Sequence, residues 1–437
     1  MTRSYAGICA PSGRVRQDDL RAFKAARLRL IRLRARVNAP DDLHQWRAAG
    51  AVSAIVQLVS PLPVQKKVTP RMFVEHFAKD IAAFMKCGAR IFEVHNEPNR
   101  PDMGMGLSWM NGDDFATWFF ETNHMLRTVF GDTIKIGFPA LCPAHLTKPG
   151  SAGAVDEMNF LEKCLDAMGA ADWVALHTYW RTAEEMRDYD GAMRFLRLYL
   201  EQLPRQLFFM TEFANIDLGL SSVKRGEQLV EFYTTLAQYD QLAGFCCLPL
   251  RSNDPGDAPL AWLDPDGKPR PVLKRVVQRP VPPDPQRVKM TWPTEYHQYN
   301  QYFGAHQTVY HDADQLSAGH NGVDLRVDRE IPHKSPIYAA LPGTVIQVAL
   351  EQTGYGHATQ VRSYDPDGDI IELLYAHLSS IEVSVGTLVG RGDIIGWAGA
   401  TGDTAVPQLH FGMRVPGIPN AVAADWLNPR PYLEAAP

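Results

Sequence analysis

Two glutamates close apolar runs: Glu97 in RIFEVHNEP (90–98) and Glu212 in QLFFMTEFA (206–214). Glycosidic cleavage needs such a pair on opposite sides of a sugar, one carboxyl protonated for the leaving oxygen and one ionised as nucleophile or base. One glutamate alone reads equally well as a solvated strand end; two, on the fourth and seventh apolar runs, favour the catalytic reading. Farther along, GHNGVDLRV (319–327) sets His320 and Asp324 four residues apart in a stretch that alternates like a β-strand. In a strand, that spacing projects imidazole and carboxylate from one face. YAHL (375–378) offers His377, and QLHF (408–411) offers His410, with Gln408 two residues earlier on the same face. Two histidines and a carboxylate with a fourth position open are the donor set of a catalytic zinc, whose bound water is polarised for attack on an amide. A lone strand histidine would read as a surface or hydrogen-bonded residue; several converging segments favour the metal.

The elements that must position these residues fall into two patterns. Up to about residue 278, apolar runs at 5–10, 27–35, 52–59, 90–98, 134–141, 172–180, 206–214 and 242–250 alternate with amphipathic stretches such as TPRMFVEHFAKDIAAFMKCG (69–88), whose apolar residues recur every three or four positions. Eight such alternations predict a (β/α)8 barrel, with polar residues at strand C-terminal ends lining the mouth. QRPVPPDPQRVKMTWP (278–293) is proline-rich and predicts an extended, semi-rigid spacer. Beyond it, short runs such as GTVIQVAL, HATQVRSY, IIELLYAHL and QLHFGMRV, separated by turn residues, predict a mainly antiparallel all-β domain. The expected division is therefore multidomain: barrel 1–278, linker 279–295, all-β domain 296–437.

At 437 residues, with 45% hydrophobic and 21% charged residues, the chain has the composition of globular domains. A formal net charge of -5 gives no overall basic field and argues against nucleic acid as a partner. No apolar run reaches the roughly 20 residues of a membrane span, and MTRSYAGICAPSGR lacks the apolar region of a signal peptide. The six cysteines contain no CxxC pair and read as reduced core residues.

FEVHNEPN (92–99) and FMTEFAN (209–215) resemble the acid/base and nucleophile strands of the clan A, cellulase-like glycoside hydrolases. The resemblance implies Glu97 as acid/base, Glu212 as nucleophile, Asn96 as donor to the substrate 2-hydroxyl, and a retaining reaction with carboxylates about 5 Å apart. His177 and Tyr179 match the family's His-x-Tyr, and Arg32 in LIRLRA is similar to the arginine that keeps the nucleophile ionised. Strand three carries Gln57 where many members have histidine, and strand eight lacks the usual sugar-stacking tryptophan. Trp180 or Trp262 is the expected substitute platform, each reading otherwise as a packing residue.

QYFGAH, GHNGVD, PIYAALPGTVI, GYGH, YAHLSS and QLHFGMR run in order as in the lysostaphin-type (LytM-like) zinc endopeptidases. This resemblance implies His320, Asp324 and His410 as ligands of Zn2+ and His377 as the catalytic histidine. Active members usually read His-x-His where this chain has Gln408-Leu409-His410; a glutamine can hydrogen-bond water or substrate but cannot take a proton. His357, where asparagine is more usual, could compensate. The resemblances together imply a bifunctional hydrolase of the bacterial cell envelope, outside the cell or phage-associated, with cell-wall polysaccharide and peptidoglycan peptide as partners. Two alternatives stand beside it: a glycosidase carrying a degenerate, zinc-containing wall-binding module, and a non-catalytic component of a phage particle or surface assembly.

Overall fold

The computed structural model describes residues 5–59, 66–143, 154, 157–188, 191–236, 239, 241–279, 281–305, 319–418 and 425–435. The chain divides into two compact units, Met1–Arg279 and Pro280–Pro437.

In the first unit eight parallel strands close into a barrel: β1 (Tyr5–Cys9), β2 (Leu30–Arg34), β3 (Ser53–Leu58), β4 (Ile91–Val94), β5 (Lys135–Phe138), β6 (Trp173–Trp180), β7 (Phe208–Asn215) and β8 (Leu242–Cys247), with β8 pairing back on β1. The helix after β3 shows why these segments form. Thr69 accepts from the backbone N of Met72, Pro70 occupies the first turn, and Phe73, Phe77, Ile81 and Phe84 bury one face of Pro70–Lys86. Cys87 and Gly88 end it, Gly88 at φ +88. Each buried phenylalanine contributes about 1.5–3 kcal/mol, and Phe77→Ala would cost roughly 3–5 kcal/mol. All six cysteines are buried thiols outside any disulfide.

Two local features shape the barrel mouth. β4 ends at Val94, three residues before Glu97, because His95 (φ +69) and Glu97 (φ +41) leave the extended region. These are non-glycine residues in left-handed conformations, held where the chain turns out of the strand. Glu212, expected at a strand end, lies within β7, where the pairing with β6 shifts register between Leu176 and His177 and the pairing with β8 shifts between Met210 and Phe213. Such irregularities re-aim side chains next to functional sites.

The second unit is antiparallel. Its strands are β9 (Tyr299–Gln301), β10 (Val323–Leu325), β11 (Pro336–Tyr338), β12 (Gly343–Leu350), β13 (His357–Tyr364), β14 (Ile370–Ala376), β15 (Leu378–Ile381), β16 (Leu388–Val389), β17 (Ile394–Ala398), β18 (Leu409–Arg414) and β19 (Trp426–Leu427). The main sheet runs β16-β12-β13-β14-β18-β10-β9, with β19 on β18, and a smaller sheet runs β11-β17-β15. Val323, Leu325, Leu373, Tyr375, Leu409, Phe411 and Met413 fill the core between them.

The proline-rich stretch is not an open spacer in its second half. Val288 and Met290 are buried in the core of the second unit, Tyr432 OH donates to the Pro283 carbonyl at 2.8 Å, and Arg287 pairs with Asp367. The prolines exclude a helix, while the apolar residues among them supply a face to bury.

Candidate active site and metal centre

At the barrel mouth Arg32, on β2, sits between two carboxylates. Its Nε donates to Glu93 Oε2 and its Nη1 to Glu212 Oε1, each at 2.8 Å. Burial works to discharge the guanidinium, but Glu93 and Glu212 hold its pKa well above the ordinary value. Tyr179 OH donates to the other oxygen of Glu212 at 2.8 Å, and burial, reinforced by Glu212, pushes the phenol pKa well up, so it remains a donor. Both oxygens of Glu212 thus accept hydrogen bonds, one of them from a guanidinium.

Glu97 is placed by its backbone N, which donates to the Ala140 carbonyl at 3.0 Å. Its Oε1 lies 2.9 Å from His177 Nδ1, and its Oε2 accepts from Arg100 Nη1 at 2.6 Å. Arg100 also grips Asp102 with Nε and Nη2. His177 Nε2 is 3.9 Å from Glu212 Oε1, so one imidazole reaches toward both glutamates. Asn96, half-buried beside them, accepts from Gln57 Nε2 through Oδ1 at 2.7 Å. Arg32, Glu97, His177, Tyr179 and Glu212 therefore share one cluster, and Asn96 precedes Glu97 in the chain with its side chain on Gln57.

Trp180 and Trp262 do not. Both are fully buried, which overturns the expectation that either offers a sugar platform. Trp180 follows inward-pointing Tyr179, so strand alternation sends it to the helix layer, where it packs on Phe213 and Phe232 and donates to Gln228. Trp262 packs against Tyr233. Sequence reasoning missed Glu93 and Arg100. Glu93 did leave a signal: a carboxylate between Phe92 and Val94 in a buried run requires a cationic partner. Arg100 had none beyond its nearness to Glu97.

In the second unit His320 Nε2, His410 Nδ1 and Asp324 Oδ1 converge with mutual separations of 2.9, 3.0 and 3.1 Å, all buried. They are grouped by two means. Asp324 on β10 pairs directly with His410 on β18. His320, however, precedes β10 instead of lying on it, so strand alternation does not explain its place. Gly319 (φ +153) turns the chain there, and Gly322 packs so tightly on His410 that a Cβ would come within 2.7 Å of the imidazole.

The donor set fits a zinc ion. Ligand bonds of about 2.0–2.2 Å meeting near the tetrahedral angle put donors roughly 3.3–3.6 Å apart, so the three atoms need spread by only a few tenths of an ångström to hold one. His320 Nδ1 lies 3.3 Å from the Tyr302 carbonyl, an acceptor, which leaves Nε2 as the lone-pair nitrogen. His410 Nε2 is buried and without a hydrogen-bond partner among the described residues. Burial lowers the His410 pKa, leaving the ring neutral as a ligand must be.

His377 (φ +64) lies close by, its ring 6.0 Å from that of His410. Its Nδ1 is 2.8 Å from the Thr401 carbonyl and must donate, so Nε2 is the accepting nitrogen; burial lowers its pKa. Gln408 departs from its expected role toward water or substrate. Its Nε2 donates to Asp324 Oδ2 at 3.0 Å and lies 3.2 Å from Thr404 Oγ1, and its Oε1 accepts from Asn300. The amide holds the carboxylate. His357 meets the Ser379 carbonyl through Nδ1 at 3.4 Å, and its backbone N donates to Thr401. Tyr355, in the same GYGH turn and unnoticed in the sequence, puts its ring 5.4 Å from that of His410 and its OH 2.5 Å from Asn321 Nδ2.

Residues 318–424 match the model of Peptidase family M23. Lysostaphin of Staphylococcus staphylolyticus is 34% identical over 115 residues, 26% of this chain and 23% of that protein. The DD-carboxypeptidase/endopeptidase Mpg of Neisseria meningitidis serogroup B is 35% identical over 100 residues, 23% of this chain and 21% of that one. The chain thus spans less than a quarter of these relatives' length. A GH128 (subgroup II) endo-beta-1,3-glucanase from Sorangium cellulosum superposes with a TM-score of 0.47 at 15% identity, covering 63% of this chain and 98% of that one. The C-terminal part of the chain is a lysostaphin-like domain of peptidase family M23.

Proposed function

We propose that the chain is a peptidoglycan hydrolase of the bacterial cell envelope, with a retaining glycosidase site in the barrel and a zinc-dependent endopeptidase-type site in the second domain. The observation that carries the reading is the buried convergence of His320, Asp324 and His410 inside the segment that matches the peptidase family. The barrel reading is supported by two glutamates in one cluster with Arg32, Tyr179 and His177.

In the second domain His320 Nε2, Asp324 Oδ1 and His410 Nδ1 would hold zinc. When bound, the ion supplies Lewis-acid polarisation of water and of the scissile carbonyl. Tyr302 fixes the His320 tautomer, and Gln408 orients Asp324. His377 presents Nε2 as acceptor for a proton, or as donor to the oxyanion once protonated. In the barrel Glu212, fixed by Arg32 and Tyr179, attacks the anomeric carbon. Glu97 gives a proton to the leaving oxygen and takes one back from the hydrolytic water. Two sites in one chain would raise the local concentration of each near a polymer carrying both bond types.

A second reading has its own observation. The Gln408 amide is engaged with Asp324 and cannot accept a proton, which favours a slow or inactive wall-binding domain that delivers the glycosidase. Metal analysis of the purified protein, coupled to mass spectrometry of digested sacculi, separates these. Zinc near one equivalent with both peptide and glycan cleavage supports the first reading, and zinc with glycan cleavage alone supports the second. Absence of both cleavages with zinc present would overturn both.

A further inference from the structure

Asn96 is a primary amide whose two ends differ in chemistry but hardly in shape, so its usefulness depends on which end faces the barrel mouth. Gln57, on β3, decides this. Its Nε2 can only donate, and it lies 2.7 Å from Asn96, so the end of Asn96 facing it must be the oxygen. Gln57 has its own orientation set by Arg34, at the end of β2, whose Nε donates to Gln57 Oε1 at 3.4 Å. A guanidinium has no acceptor, so the direction runs one way: Arg34 donates to Gln57, and Gln57 donates to Asn96. Gln57 is buried and Asn96 half-buried. Among the described residues nothing accepts from Asn96 Nδ2.

We propose that Gln57 is a positioning residue which, with Arg34 behind it, holds the Asn96 amide so that its nitrogen presents N–H to the hydroxyl next to the anomeric carbon of a bound sugar. This rests on the glycosidase reading of the barrel and specifies how this chain serves that site without a histidine on strand three. The relay also implies selectivity, since a glycoside lacking that hydroxyl gains nothing from the arrangement.

The variant Gln57→Glu tests it. A carboxylate of nearly the same shape accepts where the amide donated, so Asn96 should turn over and present its oxygen to the mouth. Full-length parent and variant are compared on 4-nitrophenyl glycosides and their 2-deoxy analogues, after thermal unfolding shows both folded. The expected result is a loss of about 100-fold in kcat/KM on the 2-hydroxy substrate, the scale of one lost transition-state donor. The 2-deoxy substrate should change less than threefold. Gln57→His keeps an N–H donor and should retain activity within tenfold. Equal losses on both substrates, or none on the 2-hydroxy glycoside, would overturn the proposal. If the parent cleaves no glycoside, the glycosidase reading falls, and neutron diffraction of parent and variant decides the relay alone. An Asn96 amide with the same orientation in both refutes it, and a reversal sustains it.

Discussion

Gln408→His places a proton acceptor where the amide now holds Asp324. Its effect has two opposed parts. Gln408 Nε2 donates to Asp324 Oδ2 at 3.0 Å, and a hydrogen bond to a charged partner contributes about 1.5–3 kcal/mol. Histidine keeps a ring N–H that can serve the same oxygen, so the loss lies at or below the low end of that range. A positioned general base contributes about 10²–10⁴-fold, or roughly 3–5 kcal/mol. The balance predicts a gain of about 10- to 1,000-fold in kcat for peptide cleavage at neutral pH. The assay is release of a quenched fluorophore from peptidoglycan-type peptides by zinc-loaded parent and variant, with Gln408→Ala as control. The alanine variant should gain nothing and should bind zinc more weakly, because Asp324 loses its support. A parent already as fast as Gln408→His would refute the reasoning and identify His377 as a sufficient base.

Arg32→Leu strips the counter-charge from buried Glu93 and Glu212 and should lower unfolding free energy by about 3–5 kcal/mol in urea titration; a change under about 1 kcal/mol would count against the pairing. Glu212→Gln should abolish glycoside cleavage while leaving zinc content and the folded baseline unchanged. Burial holds the His95 pKa down at about 4, below its ordinary value of 6.5, so the folded form resists a proton that the unfolded chain accepts. The stability tied to neutral His95 is complete above pH 6.5 and is lost as pH falls toward 4, on the order of 2–3 kcal/mol by pH 4.5. His95→Phe should therefore lose less stability between pH 7 and pH 4.5 than the parent. Zinc at a hundredfold excess over Kd should stabilise the fold by about 2.7 kcal/mol, so a chelator should lower the melting temperature, added zinc should restore it, and His410→Ala should abolish the response.

Much of the architecture was legible because the patterns that encode it are local. Eight apolar runs alternating with helical periodicity specify the barrel, and the helix expected over 69–88 forms over Pro70–Lys86, framed by Thr69 and Gly88. The short β-runs after the prolines specify the antiparallel domain in the same way. The residue types at Glu97, Glu212, His320, Asp324 and His410 also announced their chemistry, since each is costly to bury without a partner. Which groups face one another depends on long-range packing. Strand alternation sends Tyr179 to Glu212 but Trp180 to the helix layer, so a tryptophan that suggested a sugar platform became core. The turn through Gly319, not the strand pattern, carries His320 to Asp324. Glu93 reaches Arg32, Arg100 reaches Glu97, and the Gln408 amide turns to Asp324 only because the chain is closed into these folds. Sequence alone determined the elements and the chemical groups available, because periodicity and side-chain type are properties of short segments. Tertiary structure alone decided the pairing and direction of their hydrogen bonds, because those depend on which distant strands lie side by side.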